Sequence, residues 1–314
     1  MIRWTLDRAA DRFARPDASS DKYRRGVLGL RTGSAAYPGA AVLTAEAAWR
    51  TGIGLVRYAP QLDDDPPALG LPSPAAAVLA ARPETVFPPR PAGDGSGDAW
   101  STDAADAWLV GSGTDPARRS FAEREAVLRL LASPAPVVLD AGALGLALDA
   151  PASAPSVLTP HRGEFLSLWR ASGLGVRPSG WAEDRERLPA ETALADAALA
   201  LAERLGRSVL LKGSLSIAAT PGGFCAVSGP ATPWLATAGT GDVLAGLLGA
   251  LVATHAEQVR ADPELLGPLA ASAAVLHDAA AGRAGAPITA LDLARAIPGA
   301  VSEMIGTNPG AQPA

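Results

Sequence analysis

One cysteine, Cys225, is found in 314 residues. No intramolecular disulfide can form, and nothing points to an oxidising compartment. Lysine is scarce, arginine carries most of the positive charge, and no cluster of the two builds a basic stripe. With a net charge of −5, nucleic acid is not an expected partner. The three histidines and the lone cysteine show no zinc spacing. The first fifteen residues mix Arg with Asp7 and Asp11 and lack the apolar stretch of a secretory leader. The longest apolar run, Val243 to Ala253, carries Gly246 and Gly249 and is too short to span a bilayer. A soluble, cytoplasmic protein without membrane contact is the expectation.

Hydrophobic residues make up 48% of the chain and charged residues 19%, ample for a large core. Short apolar runs alternate with Ala/Leu-rich stretches of helical spacing. That alternation predicts an α/β fold with a mostly parallel sheet covered by helices. Strands are expected at residues 26–30, 55–58, 107–110, 136–139, 156–158, 208–211 and 215–219. Helices are expected at 39–51, 121–132, 190–205, 269–283 and 289–297, with Thr289 as the last one's N-cap, and 239–253 reads as a loop followed by a long helix, 243–253. Residues 60–99 and 172–188 read as loops and short elements. No linker separates two cores, so one domain is expected over residues 22–314, preceded by an N-terminal extension, 1–21.

In a parallel sheet, sites gather at the carboxyl ends of the strands. The Gly, His, Asp and Lys punctuation falls there. Its sharpest part is Thr237-Ala238-Gly239-Thr240-Gly241-Asp242, which runs straight into an apolar helix. Free N–H groups at a helix start, with the helix dipole, can hold a phosphate. A carboxylate there can take the proton of a hydroxyl that attacks phosphorus. A second reading stands beside it: Asp242 caps the helix and the glycines only make a turn.

This segment resembles the ribokinase-like superfamily. Four others add to it: Gly33-Ser34-Ala35-Ala36-Tyr37-Pro38-Gly39-Ala40-Ala41, Val138-Leu139-Asp140-Ala141-Gly142, Leu158-Thr159-Pro160-His161-Arg162-Gly163-Glu164-Phe165 and Val209-Leu210-Leu211-Lys212-Gly213. In this order they resemble the ADP/ATP-dependent NAD(P)H-hydrate dehydratase family, over about residues 22–301. The resemblance implies a three-layer αβα sandwich. It implies a hydro-lyase that restores NADH or NADPH from the (S)-epimer of its hydrate, by phosphorylating the hydroxyl and expelling phosphate.

By the same resemblance Asp242 is the catalytic base, and Gly239, Thr240 and Gly241 form the anion hole. Ala40, Gly113, His161 and Asp242 bind the hydrated dinucleotide. Lys212, Gly213, Ser214, Leu215, Ser216 and Gly241 bind the adenine nucleotide, ADP being the favoured donor over ATP. Mg²⁺ is expected on the phosphates, and a homo-oligomer, a tetramer among the options, is implied. Epimerisation is expected on another chain. Asp140 reads equally as a cap and as a site-lining group. Glu164 reads as orienting its loop or as helping to hold a metal-bound water. His277, beside Asp278, reads as packing or a surface pair. The chain departs from the family pattern at Ser112 (often Pro), Gly142 (often Asp) and Arg162 (often Pro). Two alternatives are carried along: a small-molecule kinase of the same superfamily, for a vitamin precursor or sugar, and a nucleotide-binding regulator without turnover.

Overall fold

The computed structural model describes residues 1–88, 101–182 and 189–306; the parts of the expected loop tracts at 89–99 and 183–188 lie outside the described residues. The strands are β1 (Ile2–Arg3), β2 (Val27–Arg31), β3 (Leu55–Tyr58), β4 (Ala107–Val110), β5 (Val137–Leu139), β6 (Ser156–Leu158), β7 (Ser208–Leu211), β8 (Ser216–Ala219) and β9 (Cys225–Ser228). The helices are α1 (Leu6–Ala10), α2 (Pro38–Thr51), α3 (Pro74–Ala81), α4 (Phe121–Ala132), α5 (Arg162–Ala171), α6 (Glu191–Leu205), α7 (Thr240–Thr254), α8 (Ala256–Ala261), α9 (Leu266–Ala284) and α10 (Ala290–Met304). A 3₁₀ stretch covers Ala141–Leu148.

One nine-stranded sheet runs in the order β1-β9-β8-β7-β6-β5-β4-β2-β3. Only the β7–β8 and β8–β9 pairs are antiparallel. The central strands β4, β5 and β7 are short, fully buried runs because both faces are covered. In β4, Ala107 and Leu109 point into the core built with α2, α7, α9 and α10. Trp108 and Val110 point into a second core with α4, α5, α6 and the 141–148 stretch. This period of two makes the three layers, the αβα sandwich expected.

Two features place the site. First, β2 pairs with β3 on one side and β4 on the other. The chain therefore reverses its direction of winding between β2 and β4, where doubly wound sheets open a crevice at their carboxyl ends. Second, α7 lies close against α2. A Cβ on Gly246 would sit 2.3 Å from the Thr44 carbonyl, so only glycine lets the two backbones approach this far. That contact holds the start of α7 over the crevice.

The segment before residue 22 lays β1 alongside β9 and buries Trp4, whose indole N–H donates to Ser272 Oγ at 3.0 Å. β1, β9, α1, α5 and α8 are not predicted by the sequence patterns. β1, α1 and α8, of two, five and six residues, carry too few periods to register. α10 starts at its Thr289 cap as expected and continues through Pro298 to Met304. The helical stretch 263–284, longer than the run at 243–253, is long and apolar enough to cross a membrane; 72% of its most apolar window is buried inside the fold.

Candidate active site

The ends of four neighbouring strands converge on one carboxylate. Lys212, just after β7, donates from Nζ to Asp140 Oδ1 at 2.8 Å. Asp140, just after β5, is 2% exposed. Thr159, after β6, donates to the same oxygen at 2.7 Å, and Ser112, after β4, donates to Oδ2 at 2.7 Å. Burial pushes the Asp140 pKa up, but Lys212 and the two hydroxyls outweigh it and hold the group ionised, below its usual range. Burial likewise pulls the Lys212 pKa down, and the Asp140, Glu164 and Asp242 charges overcome it and raise it. Asp140 makes no side-chain cap to the helical stretch after it. It is the buried partner of one of the chain's two lysines.

Asp242 is a different carboxylate in a different state. It is the third residue of α7, and the N-cap is Gly239, with no side-chain capping bond. The capping reading of Asp242 therefore fails. Its carboxylate accepts no hydrogen bond among the described residues, and Oδ2 lies 3.9 Å from where a Gly239 Cβ would sit. Burial and the Asp140 charge raise its pKa to about 6, Lys212 pulling the other way. Two carboxylates near one lysine thus differ: Asp140 takes the cation and Asp242 is left with a raised pKa.

Gly239 has φ +88°, and a Cβ there would meet Leu43 at 2.6 Å and Ala290 at 3.0 Å, so the turn demands glycine. The Thr240 N–H is used within the turn, donating to the Thr237 carbonyl at 3.3 Å. Its hydroxyl is used too, donating to the Leu235 and Thr237 carbonyls. The turn thus spends the Thr240 amide and hydroxyl, whereas Gly241 and Asp242, at the second and third helical positions, carry amides that a helix start leaves without an intrahelical partner.

A cavity of about 470 Å³ opens beside this turn, lined by Lys212, Gly213, Ser214, Ser216, Thr240 and Gly241 among others. Leu215, expected with them, is not in its wall; it packs against the second core. Lys212 Nζ is 3.6 Å from where a Gly241 Cβ would be, so the ammonium stands beside the helix start. Asp242 is not in the wall of this cavity.

Ala40 and Gly113 flank the crevice after β2 and β4, and they touch: a Cβ on Gly113 would lie 2.3 Å from that of Ala40. Each must be small because the other is there, a packing reason independent of any ligand. Ala40 stands one turn before Leu43, on the same face of α2, so it looks toward the Gly239 turn. His161 is tied to this edge through a parallel bridge with Lys212. It caps α5: Nδ1 accepts from the Gly163 and Glu164 amides, and Glu164 accepts from the His161 N–H at 2.8 Å. Glu164 therefore orients the loop. The His161 ring, 62% exposed, borders both the 470 Å³ cavity and a larger one of about 650 Å³ between α5 and the 141–148 stretch.

A family model described as NAD(P)H-hydrate dehydratase matches residues 28–298. The chain belongs to this family. The curated relatives include the bifunctional NAD(P)H-hydrate repair enzyme Nnr of Mycobacterium tuberculosis, 38% identical over 252 residues, 78% of this chain and 44% of that protein. The ADP-dependent (S)-NAD(P)H-hydrate dehydratase of Xanthomonas campestris is 34% identical over 251 residues, 78% of each chain. This chain spans less than half the length of the bifunctional Mycobacterium relative. Among solved structures, the ADP/ATP-dependent NAD(P)H-hydrate dehydratase of Bacillus subtilis, co-crystallised with ATP/Mg²⁺, superposes with a TM-score of 0.73 at 25% identity, covering 96% of this chain and 98% of that one.

The departures from the dehydratase pattern now have local explanations. Ser112 supplies one of the hydroxyls that hold Asp140. A side chain at Gly142 would sit 2.2 Å from the Thr114 carbonyl, so an Asp does not fit this backbone. Arg162 opens α5 and lays its guanidinium 5.5 Å from the Trp181 ring centre. The sequence reading missed Ser112 as a site group and gave His277 to packing or a surface pair. His277 is buried, lines the 470 Å³ cavity and contacts the Thr240 carbonyl. An Ala-rich helix 37 residues downstream carried no local signal of that contact.

Proposed function

We propose that this chain dehydrates the (S)-hydrate of NADH or NADPH, with ADP, or ATP in its place, as phosphoryl donor. The observation that carries the reading is the start of α7: Gly241 lies beside Lys212 in the wall of the 470 Å³ cavity, and the Asp242 carboxylate follows it with its pKa raised by burial and by Asp140. Amides fixed at a helix start cost no reorganisation when charge develops on the migrating phosphoryl group. Asp242 takes the proton from the substrate hydroxyl as its oxygen bonds to the terminal phosphorus. The phosphoanhydride bond breaks, and AMP leaves when ADP is the donor. The lone pair of the ring nitrogen then expels phosphate by breaking the C–O bond. Loss of a proton from the adjacent carbon restores the ring double bond.

No group of three His, Cys, Asp or Glu side chains able to hold a metal occurs among the described residues, and Asp140 is already committed to Lys212. A Mg²⁺ ion would thus arrive on the nucleotide phosphates, as its preference for oxygen and water allows, and would neutralise part of their charge.

Purified protein given hydrated NADH, ADP or ATP, and Mg²⁺ should restore the reduced-cofactor absorbance only when nucleotide is present. A phosphorylated small molecule without NADH recovery would favour a kinase. Nucleotide binding without either product would favour a regulator.

The substrate is a dinucleotide, and its far half needs a place. The 650 Å³ cavity that shares His161 with the nucleotide side supplies one in this reading. Leu148 lines it and is 38% exposed. Leu148→Trp should fill part of that space and raise the KM for the hydrate severalfold, with the KM for ADP unchanged. Equal KM values for the hydrate in the two proteins would place the far half elsewhere.

A further inference from the structure

We infer that His277 is a positioning residue of the anion hole: its imidazole pins and polarises the peptide whose N–H serves the phosphoryl group. This rests on the assignment of Gly241 to the anion hole. His277 lies on α9 and is 7% exposed. Its Nε2 is 2.9 Å from the Thr240 carbonyl oxygen. A carbonyl can only accept, so Nε2 carries the hydrogen and the ring donates. Burial supports a neutral ring, lowering its pKa to about 4 despite the carbonyl contact.

The Thr240 carbonyl and the Gly241 N–H belong to one planar trans peptide, so they point in opposite directions. A donor fixed on the oxygen therefore fixes where the N–H points. It also draws electron density toward the oxygen and leaves the N–H a stronger donor, as in a hydrogen-bond chain. His277 reaches the anion through that peptide and does not touch the reacting atoms in this geometry.

The next residue makes the arrangement two-ended. Asp278 Oδ1 accepts from the Thr232 N–H at 2.8 Å. Thr232 and Thr240 both line the nucleotide cavity. Two consecutive side chains of α9 thus fasten both ends of the segment 232–240, which the Thr240 hydroxyl ties within itself. The helix holds the cavity wall and the anion-hole peptide in one fixed relation.

The test compares His277→Leu, which keeps bulk and loses the donor, with His277→Gln, whose amide can restore it. In the repair assay the Leu variant should lose about tenfold to a hundredfold in kcat, with the KM for ADP within about twofold. The Gln variant should regain most of the loss. A kcat for His277→Leu within twofold of the unchanged protein, or no recovery in a folded Gln variant, overturns the proposal. A third readout needs no variant. ¹⁵N NMR of the unaltered protein should find His277 neutral with the proton on Nε2; a proton on Nδ1 alone would put two acceptors face to face and overturn it. Absence of NADH recovery by the unaltered protein would instead count against the dehydratase reading, and the NMR result stands apart from that.

Discussion

Asp242→Asn should lower kcat by a factor of about 10² to 10⁴ while making the protein more heat-stable at pH 8. The first effect follows from removing the one uncommitted carboxylate at the α7 turn. The second follows from its raised pKa. A carboxyl that titrates near 6 when folded, against about 3.9 unfolded, binds its proton more tightly in the native state. Its stabilising contribution is therefore present at low pH and is lost as pH rises through about 6. At pH 8 the ionised group costs about 3 kcal/mol, and a neutral amide removes that cost. For a chain of this length the gain is about 4 °C in the melting temperature. Two measurements check it: kcat, and thermal melts of both proteins at pH 5 and pH 8. The stability difference should shrink at pH 5. Activity of the unaltered protein should rise with pH through about 6, as the base ionises. An Asn variant that retains turnover, or one destabilised equally at both pH values, would remove Asp242 from the role.

Lys212→Met should cost both stability and nucleotide binding. It leaves Asp140 buried with two hydroxyls and no cation. Breaking a buried ion pair from one side costs about 3–5 kcal/mol, or about 5 °C or more in melting temperature here. The same change removes the ammonium beside Gly241, so the Kd for ADP should rise at least tenfold. The double variant Lys212→Met/Asp140→Leu separates the effects. It should recover much of the lost stability, since no unpaired charge remains, and none of the nucleotide affinity. The pH window follows from the two shifts. The Asp140 contribution is present above about 3.9 and lost as pH falls below it. The Lys212 contribution is present below about 10.4 and lost as pH rises past its raised pKa. Between them the pair should be indifferent to pH. A double variant no more stable than Lys212→Met, or an unchanged ADP affinity, would show that the pair does neither job.

Chain patterning alone determined the layered α/β architecture. β3, β4, β6, β7 and α4 fall on the residues expected, because a buried strand must be an unbroken apolar run and a covering helix must repeat near 3.6. The Gly-Thr-Gly-Asp turn was legible too, since the glycines and the helix behind it are adjacent in the chain. Which carboxylate does what was not. Asp140 and Asp242 look alike as strand-end and helix-start residues. Only folding sets Lys212, Ser112 and Thr159 around the first and leaves the second unsatisfied. The contact between His277 and Thr240, like that between Ala40 and Gly113, joins residues far apart in sequence. Local propensity records a residue's neighbours along the chain; charge state, donor direction and available space depend on neighbours across it, and packing alone supplies those.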